Sequence, residues 1–158
     1  MVTGGNSSRS GNLVEVGWCE MVDIPSLGLF QVHAKMDSGA ATSSIHATRI
    51  KPIIRDGRQY VEFWFQLNSS EKSKRYEAPI IERRMVRSSN GKQQDRYVIS
   101  AQFCFGTLCW NGQLTLANRR SMAFPLLIGR RALRRGFLVN SGRRWVLGRP
   151  AHYGTTDI

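Results

Sequence analysis

The sequence contains no run of about eighteen apolar residues, so nothing in it reads as a membrane-spanning helix. Its first dozen residues are polar, rich in Gly, Ser and Asn, and lack the apolar stretch of a secretory signal. Residues 1–12 therefore read as a disordered tail, 13–150 as one domain and 151–158 as a second tail, with the cytoplasm as the expected compartment. Cysteine is scarce. Cys19, Cys104 and Cys109 form no even framework, which argues against a disulfide scaffold. Together with His33, His46 and His152 they match no metal-ligand spacing: there is no C-x-x-C, no H-x-x-x-H and no H-E-x-x-H. No metal and no cofactor are expected, and Cys104 and Cys109 are expected as buried structural thiols.

Acidic residues are the other shortage. The chain has 23 Lys and Arg against 11 Asp and Glu, a net charge of +12. Residues 1–80 are close to balanced, with 9 basic and 8 acidic side chains, whereas residues 81–158 carry 14 basic and only 3 acidic ones. Such a surface attracts polyanions, whether nucleic acid, the ribosome or an acidic peptide. A plain solvated basic face would have the same composition.

What is present is a succession of short alternating apolar runs separated by turn signals, the pattern of an all-β domain. Strands are expected at Leu13–Glu20, with Val14, Val16 and Trp18 on one face, and at Leu29–Met36, with Phe30, Val32, Ala34 and Met36 on one face. Residues 42–50 read as a loop or a further strand, Asp56-Gly57 as a turn, and Tyr60–Leu67 as a strongly β segment. A strand over Tyr76–Met85 would be interrupted by Pro79. Ser88-Ser89-Asn90-Gly91 is a hairpin-type turn, because Asn-Gly tolerates positive φ. Two strands follow around Gly106. Leu126-Leu127-Ile128-Gly129 is an apolar strand that closes on glycine, residues 130–135 form one or two helical turns, and Phe137–Asn140 and Trp145–Gly148 form a last hairpin. There is no internal repeat.

The chemistry concentrates at Asp37-Ser38-Gly39-Ala40, which ends an apolar strand. Such a turn presents a carboxylate at the end of a sheet, the hydroxyl can bond neighbouring backbone, and glycine permits close approach. Alone, the tripeptide is no more than an ordinary Asx-type turn. Its combination with a central Asn-Gly hairpin and a C-terminal L-L-I-G-R-R-A-L segment resembles the retropepsin fold of acid peptidases. Within that fold it is most similar to the bacterial retropepsin-like family that carries the name ATP-dependent zinc protease. Further carriers are Gly17-Trp18-x-Glu20, Thr42-Ser43, His46-Ala47, Leu114-Thr115-Leu116-x-Asn118-Arg119 and Met122. Two departures stand out: D-S-G replaces the more usual D-T-G, and Asn140 stands where relatives often have an acid.

The resemblance implies a closed all-β retropepsin-like barrel with one short C-terminal helix, and an aspartic-type peptide hydrolase. Asp37, Ser38 and Gly39 would form the catalytic loop, with Ala40 lining the substrate site. Two carboxylates sharing a proton are needed to activate water, yet the chain has one such motif. A two-fold homodimer with Asp37 from each subunit supplies both; the alternative is a monomer that uses His46 or Lys35. The hairpin with Ser89, Asn90 and Gly91 is a flap candidate or a plain surface hairpin. Arg87, Lys92, Arg96, Arg130 and Arg131 could take substrate carboxylates, with Arg130 also a candidate anchor for the Asp37 loop. His46 reads as a satisfied structural histidine or as a catalytic or metal-binding one. Some relatives accompany glutamate ligases that add glutamate tails to a ribosomal protein, so the implied substrate is an acidic peptide or protein, with a glutamate tail as the candidate. The competing reading is a non-catalytic basic β-barrel that binds RNA or the ribosome through aromatics of residues 60–65.

Overall fold

The structure, a computed structural model, describes residues 13–87, 91–119 and 123–148. Residues 1–12, 88–90, 120–122 and 149–158, among them Ser89, Asn90, Met122, His152 and both expected tails, lie outside the described residues. Eleven strands follow in order: β1 (Val14–Gly17), β2 (Cys19–Ile24), β3 (Leu29–Met36), β4 (Ser43–His46), β5 (Thr48–Arg55), β6 (Arg58–Phe65), β7 (Lys74–Arg87), β8 (Gln93–Phe105), β9 (Leu108–Ala117), β10 (Leu126–Ile128) and β11 (Phe137–Asn140). A 3-10 turn at Pro25–Leu27 and one helix, α1 (Arg130–Leu133), complete the described elements.

Strands run β2-β3-β10-β4-β9-β8 around a ring that a β2–β8 pairing closes, giving a six-stranded barrel. Closure removes the sheet edges that would otherwise offer unpaired backbone groups. The first half of β8 continues outward to β7, β6 and β5. Alternation along β6 turns Val61, Phe63 and Phe65 inward, where they join Val32, Ile45, Phe103, Leu114 and Ile128 in one core. A parallel β1–β11 pair forms a separate two-stranded sheet.

Several local expectations change. The run over 13–20 is two strands, because the chain bends at Trp18. In β3, Phe30 faces solvent while Leu29 is buried. Gln31 adopts a left-handed φ of 59°, and the β2–β3 register shifts beside it, so the inward phase resets before Val32. Pro79 does not interrupt β7. It is the last residue paired with β6, and pairing with β8 begins at Ile80, so the missing N–H falls where the strand changes neighbours. Residues 145–148 do not form a hairpin strand: the Val146 and Leu147 N–H groups donate to the buried Glu20 carboxylate instead. Cys104 and Cys109 are not free thiols. The two-residue turn at Gly106-Thr107 sets them directly opposite each other on β8 and β9, and they form a disulfide. Cys19 is buried and free.

Candidate active site

Asp37 follows the last residue of β3, and three neighbouring segments hold its loop. Strand β10 lies between β3 and β4, parallel to the first and antiparallel to the second. The two arms leading into and out of the Asp37 turn are therefore splinted by a strand from some ninety residues later in the chain. The Asp37 N–H donates to the Ile128 carbonyl at 2.8 Å, and the Ala40 N–H returns to the Asp37 carbonyl at 3.2 Å. Where β10 passes into α1, the Arg130 N–H donates to Ala40 O at 2.6 Å and the Arg131 N–H to Ala41 O at 3.1 Å.

Gly129 makes this splint geometrically feasible. A Cβ there would stand 2.5 Å from the Thr42 carbonyl carbon and 2.7 Å from its oxygen, closer than real Cβ atoms come to backbone. Its N–H donates to the buried Ser43 hydroxyl at 3.1 Å. Arg130 closes the loop from outside, with Nη1 donating to the Ser38 carbonyl at 2.9 Å. Of its two foreseen roles, the anchor is the one the geometry displays.

The carboxylate itself is oriented by its own turn. Asp37 Oδ1 accepts the Gly39 N–H at 2.9 Å, and a Cβ on Gly39 would lie 3.2 Å from that oxygen. Asp37, half-buried, opens onto a cleft of about 810 Å³ together with Gly39, Ala40 and Thr42. The far wall comes from the β7–β8 hairpin through Arg84, Met85, Arg87 and Arg96, and the floor from Leu126 and Leu127. Asp37 is the one carboxylate among the described residues that line it, against Lys35, Arg84, Arg87, Arg96, Arg119 and Arg131.

Half of the expected site residues meet in this cleft. Lys35, Asp37, Gly39, Ala40, Arg87, Arg96 and Arg131 line it; Ser38 and Arg130 support the loop behind it. Lys92 and Gly91 are exposed on the hairpin and do not line the cleft, while Ser89 and Asn90 lie outside the described residues. His46 does not line it either; its Nδ1 accepts the Arg119 N–H at 2.9 Å. Among the described residues no three His, Cys, Asp or Glu side chains cluster as a metal site requires.

Sequence reasoning missed Arg84 altogether, and it quoted Ser43 and Arg119 for the resemblance without giving them a place in the site. Arg84 is the cross-strand partner of Arg96, a relation that depends on the β7–β8 register shift between Ile80 and Glu82. Arg96 is only 6% exposed, and burial, reinforced by the Arg119 charge, pulls its guanidinium below the ordinary arginine range. Three of the four aromatics of β6 are committed elsewhere: Phe63 and Phe65 are buried, and Trp64 lies beneath the Arg49 guanidinium at 5.2 Å. No helix among the described residues is long and apolar enough to cross a membrane.

Comparisons with known proteins bear on the fold and the family. Proteins named probable alpha-L-glutamate ligase from Shewanella pealeana (strain ATCC 700345 / ANG-SQ1) and Parasynechococcus marenigrum (strain WH8102) are 40% and 41% identical to the chain. The matches cover 83% and 73% of this chain but 28% and 25% of those proteins, so the chain spans about a quarter of their length. The crystal structure of Lpg0085 from Legionella pneumophila, a protein of unknown function, shares the fold with a TM-score of 0.70 at 22% identity, over 85% of this chain and 98% of that one. The family described as RimB-like, retropepsin-like aspartic endopeptidase RimB, matches residues 15–150. The chain belongs to this RimB-like family of retropepsin-like aspartic endopeptidases.

Proposed function

We propose that the chain is an aspartic-type peptide hydrolase in which Asp37 activates water, that it works as a two-fold homodimer, and that its substrates are acidic peptides or protein tails. One observation carries the reading: a loop-held carboxylate opens onto a cleft whose remaining charged lining residues are all cations. In such a reaction one carboxylate takes a proton from water as the oxygen attacks the amide carbon. Its protonated partner donates to the carbonyl oxygen, and a proton then passes to the leaving nitrogen as the C–N bond breaks.

The dimer follows from counting carboxylates. The acidic residues nearest in sequence to the far wall are Glu82 and Asp95, and these pair with Arg84 and Arg83 respectively without lining the cleft. No second carboxylate of the same chain reaches Asp37 among the described residues, so another copy is the natural source, and two-fold symmetry is the commonest way to supply it. Relatives named as glutamate ligases direct attention to glutamate-rich peptides as substrates.

The test is hydrolysis of an oligoglutamate peptide by the wild type and by Asp37→Asn, with folding checked by circular dichroism. Cleavage by the wild type, abolished in Asp37→Asn of unchanged fold, supports the reading. Absence of cleavage by both, with RNA bound equally by both, would replace it with the non-catalytic RNA- or ribosome-binding barrel.

A further inference from the structure

Two groups of the described arginines contrast. Arg55, Arg75, Arg83 and Arg143 sit on the outside of the molecule, each against a carboxylate. Those of the cleft are arranged differently. Arg84 and Arg96 stand directly opposite each other on β7 and β8, although like charges across a strand pair repel. Arg96 is almost wholly buried, yet its Nε and Nη2 both donate to one neutral acceptor, Gln94 Oε1, at 3.2 and 3.1 Å. Arg84 spends Nη2 on Glu82 and on Gln113 Oε1, while its Nη1 is buried without a partner. Arg119 completes the group, its backbone pinned by His46 and its charge felt by Arg96.

Buried guanidinium groups are normally matched with anions, because taking a cation out of water without a partner is unfavourable. Among the described residues Glu82 is the one carboxylate bonded to the three, and Nη1 of Arg84 stays buried without a partner. Their N–H donors lie in fixed, forked planes, the geometry that suits a carboxylate bidentately. We propose that Arg84, Arg96 and Arg119 form a specificity subsite that binds a side-chain carboxylate of the peptide lying in the Asp37 cleft. The subsite rests on the reading of Asp37 as the hydrolytic centre. It adds which residues select an acidic substrate: a carboxylate meets the guanidinium charges that line the cleft, whereas a neutral amide of the same shape brings no opposite charge and binds more weakly.

Binding is measured on the Asp37→Asn protein, so the outcome does not depend on turnover. Labelled oligoglutamate and oligoglutamine peptides are titrated by fluorescence anisotropy against that protein and against versions carrying Arg96→Gln, Arg119→Gln or Arg55→Gln. Loss of a desolvated charge-assisted pair should weaken oligoglutamate binding roughly ten- to hundredfold for Arg96→Gln and Arg119→Gln. Oligoglutamine binding should hardly change. Arg55→Gln, which removes the same charge far from the cleft, should leave oligoglutamate binding within about twofold. If Arg96→Gln proves unfolded in a thermal melt, the decision passes to Arg119→Gln, whose side chain is only half-buried. The subsite is overturned if the folded variants bind oligoglutamate as tightly as the parent. Equal weakening by Arg55→Gln, or equal loss of both peptides, overturns it too. An Asp37→Asn protein that keeps the subsite while the wild type cleaves nothing would reject the hydrolytic reading alone.

Discussion

Glu20→Gln is the perturbation whose cost can be worked most directly from the structure. Glu20 is fully buried, and its two oxygens gather three backbone donors: Oε2 accepts Gly17 N–H at 2.6 Å and Val146 N–H at 2.9 Å, and Oε1 accepts Leu147 N–H at 3.2 Å. The carboxylate thus ties the start of β2 to the last described segment of the chain, which has no sheet partner of its own. Gly17 must be glycine for this approach, since a Cβ there would lie 2.5 Å from the Arg143 carbonyl oxygen. Glutamine has the same shape but one acceptor oxygen. Kept at the Oε2 position, that oxygen converts two charge-assisted bonds to neutral ones, at about 1 kcal/mol each. The amide nitrogen then faces the Leu147 N–H and strands it, for about another 1 kcal/mol. Easier burial of a neutral amide returns part of this, leaving a net loss of about 2 kcal/mol. That should lower Tm by roughly 4–8 °C for a domain of this size. Glu20→Ala strands all three donors and should cost about twice as much. Urea denaturation gives the stability change, and amide hydrogen exchange at Val146 and Leu147 reports the local one. A Glu20→Gln protein within about 0.5 kcal/mol of wild type, with those amides equally protected, would refute the reasoning.

Two further outcomes follow from the same structure. Gly129→Ala forces a methyl group into the Thr42 carbonyl and should cost about 1–3 kcal/mol by overpacking. Because the displaced backbone is the splint of the Asp37 loop, any peptidase activity should fall far more than the melting temperature suggests; full activity in a destabilised protein would contradict the splint. On the outer strands, Arg55 and Arg75 hold the Glu77 carboxyl down at about 2, from its ordinary 4.5, and Arg75 lowers Glu62 as well. A depressed folded-state value means stabilisation that is present above pH 4.5 and is lost as pH falls towards 2. Melting curves of wild type and Glu77→Gln should therefore differ at pH 7 and converge near pH 2; a constant difference across that range would show that the ion pairs contribute no proton-linked stability.

Much of the site was legible in the sequence because its parts are local. The strand into Asp37-Ser38-Gly39-Ala40 and the L-L-I-G run each announce themselves by alternation and a terminal glycine. That β10 slots between β3 and β4 is a pairing across some ninety residues, which periodicity does not record. The errors have physical causes. One residue in a left-handed conformation, Gln31, reversed the outward face at Phe30. The strand over Trp145–Gly148 failed because a buried carboxylate, not a neighbouring strand, satisfies the N–H groups of Val146 and Leu147. The Cys104–Cys109 pairing had a usable signal, since a two-residue turn at Gly106-Thr107 makes those residues face each other, but a count of three cysteines hid it. The opposition of Arg84 and Arg96 had none, because it depends on a register shift that no local pattern records.

The central claim, that hydrolysis needs Asp37 from two copies of the chain, is tested most directly by subunit mixing. Asp37→Asn protein is equilibrated in increasing excess with a fixed amount of wild type, and oligoglutamate cleavage is followed. The shared-dyad account predicts that activity falls towards zero as wild-type subunits are drawn into mixed dimers holding one aspartate. Activity that stays constant at fixed wild-type concentration, while sedimentation shows the mixed dimers forming, would contradict it.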